Sequence, residues 1–302
     1  MTTHRMTVLA SGSAGNATLI EGDGFGLVVD CGLPPQELSA RLQSIGASWQ
    51  SVHAVVITHT HTDHWNRYTL EHLRRLNIPF FAHRKHHDAL ATNAAYGPLH
   101  RAGLTHDYEP GERLELGGGL SITAVQVPHD SDPTFGVRTD YTGDGGWAVG
   151  VASDLGKVPD GLYDLFTGVD VLGLEFNHCV RMERASRRPR FLVERVLGDF
   201  GHLSNDQAAE AVRRFLSAGD LQAVVQLHLS RDCNTAELAG EAGRRAVDGT
   251  STQVITATQW QPAASVPLIP RPPRSAKPIL SRTSPPRRSV QPCLPGLEND
   301  AG

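Results

Sequence analysis

The chemistry in this chain is concentrated in one short stretch, Thr58-His59-Thr60-His61-Thr62-Asp63-His64, at the end of the apolar run His53–Thr58. Three imidazoles and one carboxylate within six positions form a dense ligand set. Side chains alternate along extended backbone, so His59 and His61 point the same way. Asp63 and His64 can then turn toward a second ion as the chain enters a loop. Nitrogen and oxygen donors without thiolate suit borderline or harder divalent ions such as Zn²⁺ or Mn²⁺. A lone histidine would read as part of an exposed polar loop. H-x-H-x-D-H after a buried strand reads as a metal site, and the total of fifteen histidines points the same way.

The elements that must hold these residues follow from periodicity. Met6–Ala10, Ala17–Glu21 and Phe25–Asp30 are predicted strands separated by glycine turns. Pro34–Ile45 is a predicted helix, with Leu38, Leu42 and Ile45 at helical spacing and Gly46 to end it. His53–Thr58 reads as a buried strand, Tyr68–Leu76 as a helix and Pro79–Ala82 as a short strand. A mostly β stretch runs from Leu114 to Val127, followed by strands at Trp147–Ala152, Val169–Glu175 and Ala223–His228. Ser204 with Gln207 caps a helix over 205–217, and Asn234 with Glu237 repeats that pattern before 235–247. Strands in both halves, each half followed by helices, predict two sheets packed face to face with helices outside. The expected fold is α/β, a four-layer αββα sandwich.

Composition bounds the rest. The chain of 302 residues is 39% hydrophobic, enough for a core, and no run of 18 apolar residues is available for a transmembrane helix. No membrane association is expected. The N-terminus has no apolar stretch long enough for a secretory signal. Four cysteines lack a C-x-x-C pair, which fits a reducing, cytoplasmic setting. Ten of the nineteen prolines fall at 262–302, a segment with net charge +4 against −8 for the remainder. Residues 1–261 are therefore expected to form the folded domain, and 262–302 a disordered, Pro/Arg-rich basic tail.

With those motifs assembled, the chain resembles the metallo-β-lactamase fold hydrolases, whose hallmark is H-x-H-x-D-H. SGSAGNATLI, LVVDCGL, ITHTHTDHW, VPHD, SDLG, LEFNH, GHLSN and LHLS occur in the order of the YycJ/WalJ-like branch, which is associated with exonuclease activity on DNA. The resemblance spans nearly the whole folded unit. Carried over position by position, it implies His59, His61 and His129 on one metal ion, Asp63, His64 and His228 on the other, and Asp154 bridging both. Local sequence supports these placements: His129 follows Val125-Gln126-Val127-Pro128, Asp154 follows the WAVGVAS strand, and His228 ends VVQL. Two departures stand out. Where the branch commonly reads S-N-H-D, this chain has Phe176-Asn177-His178-Cys179, and the HRKHHD segment at 83–88 lies outside the pattern.

The implied reaction is hydrolysis of a phosphodiester, most simply a DNA exonuclease using a metal-bound hydroxide at a two-metal site. One ion lowers the pKa of bound water from about 16 to about 7. Asp63 is a candidate catalytic residue, orienting the nucleophile. His202, in Gly201-His202-Leu203-Ser204-Asn205, is the candidate for protonating the leaving oxygen or holding the phosphate, because it precedes a helix N-terminus. Asn16, Asn177, His178, His202 and Ser204 are candidate substrate contacts, although GHLSN also reads as an ordinary helix cap. Ser11–Asn16 reads first as a hairpin. His83, His86 and His87 read as solvated or structural. Arg181, Arg184, Arg187, Arg188 and Arg190 lie in what reads as a long loop that could rim a phosphate site. The expected partner is nucleic acid, DNA in preference to RNA. The peptide 291–297 loosely resembles those that dock into bacterial sliding clamps. Two other readings are carried forward, a small-molecule hydrolase of thioesterase or lactonase type, and a catalytically silent module binding nucleic acid or a partner.

Overall fold

Short apolar runs broken by glycine turns become strands in both halves of the chain, and helices fill the crossovers between parallel pairs. The computed structural model describes residues 4–269, except Asp132 and Asp144. The first sheet holds β1 (Arg5–Ala10), β2 (Ala17–Gly22), β3 (Phe25–Val29), β4 (Ala54–Val56), β5 (Phe80–Ala82) and β6 (Thr105–Asp107) in that order. The second holds β7 (Arg113–Gly117), β8 (Leu120–Val127), β9 (Thr134–Tyr141), β10 (Trp147–Ala152), β11 (Val171–Glu175), β12 (Ala223–Leu227) and β13 (Gln253–Thr256). A last strand, β14 (Val266–Pro267), returns to pair with β1.

Burial sorts these strands into layers. Met6, Val8, Ile20, Leu27 and Val56 of the first sheet meet Ile122, Phe135, Val137, Val149 and Val225 of the second in one apolar cluster. Leu38 and Leu42 of α1 (Pro35–Ser44), Leu70 and Leu73 of α2 (Arg67–Leu76) and further residues up to α4 (Tyr96–Arg101) cover the outer face of the first sheet; the short α3 (Arg84–Leu90) adds Leu90. On the second sheet, Leu162 and Phe166 of α5 (Asp160–Phe166), Phe215 of α8 (Asn205–Ala218) and Ala239 of α9 (Ala236–Ala246) do the same. The αββα sandwich is as expected.

One rim collects the strand ends. Strands β3 to β6 run parallel, as do β10 to β13. Two antiparallel steps bring β1 into line with β3 and β8 into line with β10. The carboxyl ends of β1, β3, β4, β8, β10, β11 and β12 are followed or closed by Ser11, Asp30, Thr58-His59, Pro128-His129, Ser153-Asp154, Glu175 and His228. In open α/β sheets such ends are where ligands bind.

Four local expectations are corrected. The fold does not end at 261: Met6 pairs with Val266 and Arg5 with Pro267, and Val266 and Leu268 are buried. Proline is tolerated on an edge strand, so the proline-rich composition hid a strand whose two apolar residues alternate inward. The rest of the expected tail, with the 291–297 peptide, lies outside the described residues. The second capping site is Thr235, which accepts from Leu238 N at 3.2 Å, because Asn234 is drawn inward to the carbonyls of Phe176 and Asn177. The arginine-rich loop contains α6 (Val180–Ala185) and α7 (Arg190–Leu197). Strand β9 went unrecognised because Thr, Arg and Asp interrupt its apolar positions, yet it pairs along its length with β8.

Ending the chain after Gln261 should lower the urea midpoint. Loss of the buried Val266 and Leu268 side chains alone costs about 3 kcal/mol or more. An unchanged midpoint would show that β14 adds nothing to the sheet.

Candidate metal centre

His59 and His61 leave the end of β4 and meet His129 from the end of β8, with their ligand nitrogens within 4.8 Å of one another. Asp63, His64 and His228 form a second group within the same limit. Asp154 stands between the two groups. Its Oδ2 is 3.1 Å from His64 Nε2, and its Oδ1 is 3.4 Å from His228 Nε2 and 4.0 Å from His129 Nε2. The structure thus brings together all seven side chains of the expected ligand set.

The backbone is forced to deliver them. Asp30, Asp154 and His228, each just past a strand, have left-handed φ values of 63°, 58° and 53°. Few non-glycine residues adopt this region, Asp and His being among those that do so most often, and such strain persists only where surroundings impose it. The Asp63 carbonyl accepts from Asn16 N at 2.7 Å and lies so close to Gly32 that any Cβ there would collide with it.

Behind the ligand atoms, four of the five imidazoles are oriented by their other nitrogen. His64 Nδ1 donates to Asp30 Oδ2 at 2.8 Å, His129 Nδ1 to the Gly201 carbonyl at 3.0 Å, and His228 Nδ1 to Glu175 Oε1 at 3.2 Å. His59 Nδ1 meets the Thr58 hydroxyl at 3.1 Å, and that hydroxyl is itself held by Asp30. This arrangement points the Nε2 atoms of these rings into the centre, the orientation that metal-ligating histidines require. Two buried atoms, His59 Nε2 and Asp154 Oδ2, have no hydrogen-bond partner. Orphaned buried donors and acceptors are costly, and ligand atoms of His59, His64 and Asp154 lie within 4.8 Å of one another. The donor set, five imidazoles and two carboxylates, fits divalent cations.

Electrostatics divides the histidines. Burial holds His59, His61 and His129 below the ordinary histidine pKa, leaving them neutral and ready to ligate. Burial also disfavours charge on His64 and His228, but carboxylates outweigh it and hold both well above the usual range. For His64 these are Asp30 and Asp154; for His228, Asp154, Asp63 and Glu175. The same contacts overcome burial at Asp63 and Asp154 and keep both carboxyls far below the usual carboxylate range.

The expected substrate residues separate. His202 is at the site: its Nδ1 donates to Glu175 Oε1 at 2.8 Å and its ring stacks on His228 at 5.4 Å. Asn177 lines a cavity together with His202 and His228 and donates from Nδ2 to the His228 carbonyl at 2.8 Å. Asn16 is buried, and its Nδ2 lies 3.3 Å from Asp63 Oδ2 and 3.1 Å from His64 Nε2, so it steadies ligands. Ser204 is not available to substrate: it is buried, and its hydroxyl is engaged in a capping box with Gln207. His178 is likewise enclosed, with no exposed surface. His86 is structural, donating from Nε2 to the Pro133 carbonyl at 2.8 Å, close in sequence to the loop that carries His129.

Three carboxylates were missed in the sequence. Fully buried Glu175 accepts from His202, His228, Leu155 N and Leu203 N, and its pKa is held down at about 2 as His202 and His228 outweigh burial. Asp30 ties Thr58 and His64 together. Asp130 lies 3.1 Å from His129 Nε2 and pairs with Arg195. An acid closing an apolar strand, as in VDVLGLE and LVVD, was the available signal, since burying such a charge requires partners.

The comparisons agree with this geometry. Residues 27–222 match the family model for the beta-lactamase superfamily domain. The chain is 30% identical over 239 residues to the exodeoxyribonuclease WalJ of Streptococcus pneumoniae serotype 2, covering 78% of this chain and 85% of that protein. It is 27% identical to the exodeoxyribonuclease YycJ of Bacillus anthracis, covering 77% and 85%. The Zn²⁺-bound PqqB of Methylobacterium extorquens superposes with a TM-score of 0.60 at 17% identity, over 87% of this chain and 99% of that one. Rim, ligand geometry and sequence match converge: the chain belongs to the beta-lactamase superfamily, on its WalJ- and YycJ-like branch, and is a hydrolase of the metallo-β-lactamase fold.

Proposed function

We propose that this protein is a divalent-metal-dependent DNA exonuclease. The observation that carries the reading is the convergence of two three-residue ligand groups on the shared, buried Asp154 carboxylate, in a chain whose matched relatives are exodeoxyribonucleases. His59, His61 and His129 would hold one ion and Asp63, His64 and His228 the other, Zn²⁺ or Mn²⁺, with Asp154 in reach of both. When bound, such ions supply a hydroxide nucleophile from water at neutral pH and positive charge for the oxygens of a phosphodiester.

The chain's own groups supply the rest. Asp63 accepts at the rim and orients the attacking water. His202 donates from Nδ1 to Glu175 and so presents Nε2 to the cavity. Although buried, it is kept protonated more readily than an ordinary histidine by that carboxylate. It is therefore the group that delivers a proton to the departing oxygen. Arg188 and Arg195 line the adjoining cavity of about 430 Å³, each paired with an aspartate of the same lining, Asp232 and Asp130. Cys31, Cys179 and Cys233 are free thiols, as suits work in a reducing cytoplasm.

The decisive assay sets metal-loaded protein against end-labelled single- and double-stranded DNA and RNA, beside thioester and lactone substrates. Stepwise shortening of DNA is expected; turnover of only the small esters would overturn the proposal. Asp63→Ala and His64→Ala should each bring DNA turnover to background while circular dichroism stays native.

Replacing Glu175 by Gln should weaken metal retention by about ten- to a hundredfold, measured by chelator competition, because His228 loses its orienting carboxylate. Undiminished retention would detach Glu175 from the site.

Metal removal has a signed consequence. In stripped protein, His64 and His228 should be imidazolium at pH 7 by nitrogen NMR, and adding Zn²⁺ should release those protons. Their contribution to stripped-protein stability is complete below the ordinary histidine pKa and is lost as pH rises through the raised values. The contribution of Asp63 and Asp154 is present above the ordinary carboxylate pKa and is lost on acidification. The melting temperature of stripped protein should therefore fall on both sides of neutrality, and a flat profile would contradict the assigned charges.

A further inference from the structure

Trp260 is 68% exposed, whereas Trp147 is buried and Trp49 and Trp65 are partly covered. A surface indole on a flexible segment would be unremarked, but this one sits on a pinned backbone. The neighbouring Gln259 is buried; its side-chain oxygen accepts from Ala14 N at 2.8 Å and its side-chain nitrogen donates to the Gly15 carbonyl at 2.9 Å. The Gln259 carbonyl accepts from Arg41 at 3.0 Å, and Ser11 N donates to Thr258 O at 3.1 Å. The segment is therefore fastened to the Ser11–Asn16 loop, whose Asn16 reaches Asp63 and His64. The backbone that carries the ring is thereby held relative to the ligand cluster.

Arg231 lies over that ring, 5.3 Å from its centroid. The same arginine lines a cavity of about 390 Å³ together with Ser13, Asn177, His202 and His228. Its neighbour Arg188 is engaged by Glu183 and Asp232, but Arg231 makes no ion pair among the described residues. A guanidinium without an ion pair, lying over one face of an exposed ring and opening onto a cavity that ends at the histidines, matches one chemical unit: a planar base, stacked on the ring's other face, joined to a phosphate. Base stacking on aromatic side chains is sequence-tolerant and needs a base free of its pairing partner, and a guanidinium is suited to phosphate.

We propose that Trp260 and Arg231 form a stacking platform that seats an unpaired nucleotide of a single-stranded DNA end beside the metal-ligating cluster. This rests on the nuclease reading above and deepens it: the substrate is taken as an unpaired strand, with the base on the indole and its phosphate on Arg231. The remaining body is acidic, with net charge −8 outside 262–302, so a local cation at this mouth is selective for where the backbone enters.

The test uses the full chain stripped of metal, so that DNA binds without being consumed. Fluorescein-labelled (dT)8 is titrated by anisotropy, and tryptophan emission is followed in parallel with Trp260→Phe to isolate the Trp260 signal. The expected results are quenching of Trp260 emission by (dT)8, binding weakened on the order of tenfold in Trp260→Ala and largely kept in Trp260→Phe, and a shallower salt dependence in Arg231→Gln. Wild-type affinity in Trp260→Ala overturns the platform while leaving the nuclease reading standing. An equal loss on a blunt duplex of the same length overturns the single-strand assignment. Emission that follows protein concentration instead of DNA assigns the face to a second copy and also overturns it. If the stripped wild-type protein binds none of the oligonucleotides, the platform is overturned; the nuclease reading falls with it only if metal-loaded protein also shortens none of them.

Discussion

The constraint on which this structure turns is the burial of carboxylates at a sheet rim. Asp154 is 2% exposed and Glu175 fully buried, and each would pay heavily for desolvation if left alone. Imidazoles supply the compensation: His64, His228 and His202 are held toward the charged form by these acids, and the acids are held ionised in return. Such a network resists disruption because removing one member strands the others. It also leaves His59 Nε2 and Asp154 Oδ2 unsatisfied, a debt that protein groups alone do not settle and that a divalent cation would.

The fold serves this constraint through direction. Parallel alignment of strands from both sheets sends several carboxyl ends to one rim, so residues distant in sequence need only follow a strand to arrive together. The left-handed turns at Asp30, Asp154 and His228 convert arrival into orientation. Rigid strands with strained exits place ligands more reproducibly than a loop would, which is the general requirement for a preorganised site.

Away from the centre, the surroundings are specialised by pairing. Arg188 is tied to Glu183 and Asp232, and Arg195 to Asp130, which itself approaches His129 and His61. These contacts fix the arginine-rich segment as two helices against the cavity and temper its charge. Cys179, which stands where the branch commonly has aspartate, instead donates its backbone N–H to Cys233 O at 2.9 Å. The buried Glu183 in this corner pairs with Arg188.

What was legible in the sequence was local. Apolar runs announced β1 to β4, β10, β11 and β12, helix caps announced α8, and the H-x-H-x-D-H cluster offered candidate ligands because alternation along extended backbone is a property of neighbouring residues. Edge strand β14 and the polar-interrupted β9 were not legible, since their apolar residues gain meaning only against β1 and β8. Nor could the sequence show that Ser204 and His178 are enclosed, or that Asp30, Asp130 and Glu175 back the histidines. Those outcomes depend on which strand lies beside which, and a carboxylate's partner is chosen by distances of about 3 Å that only the packed sheets bring about.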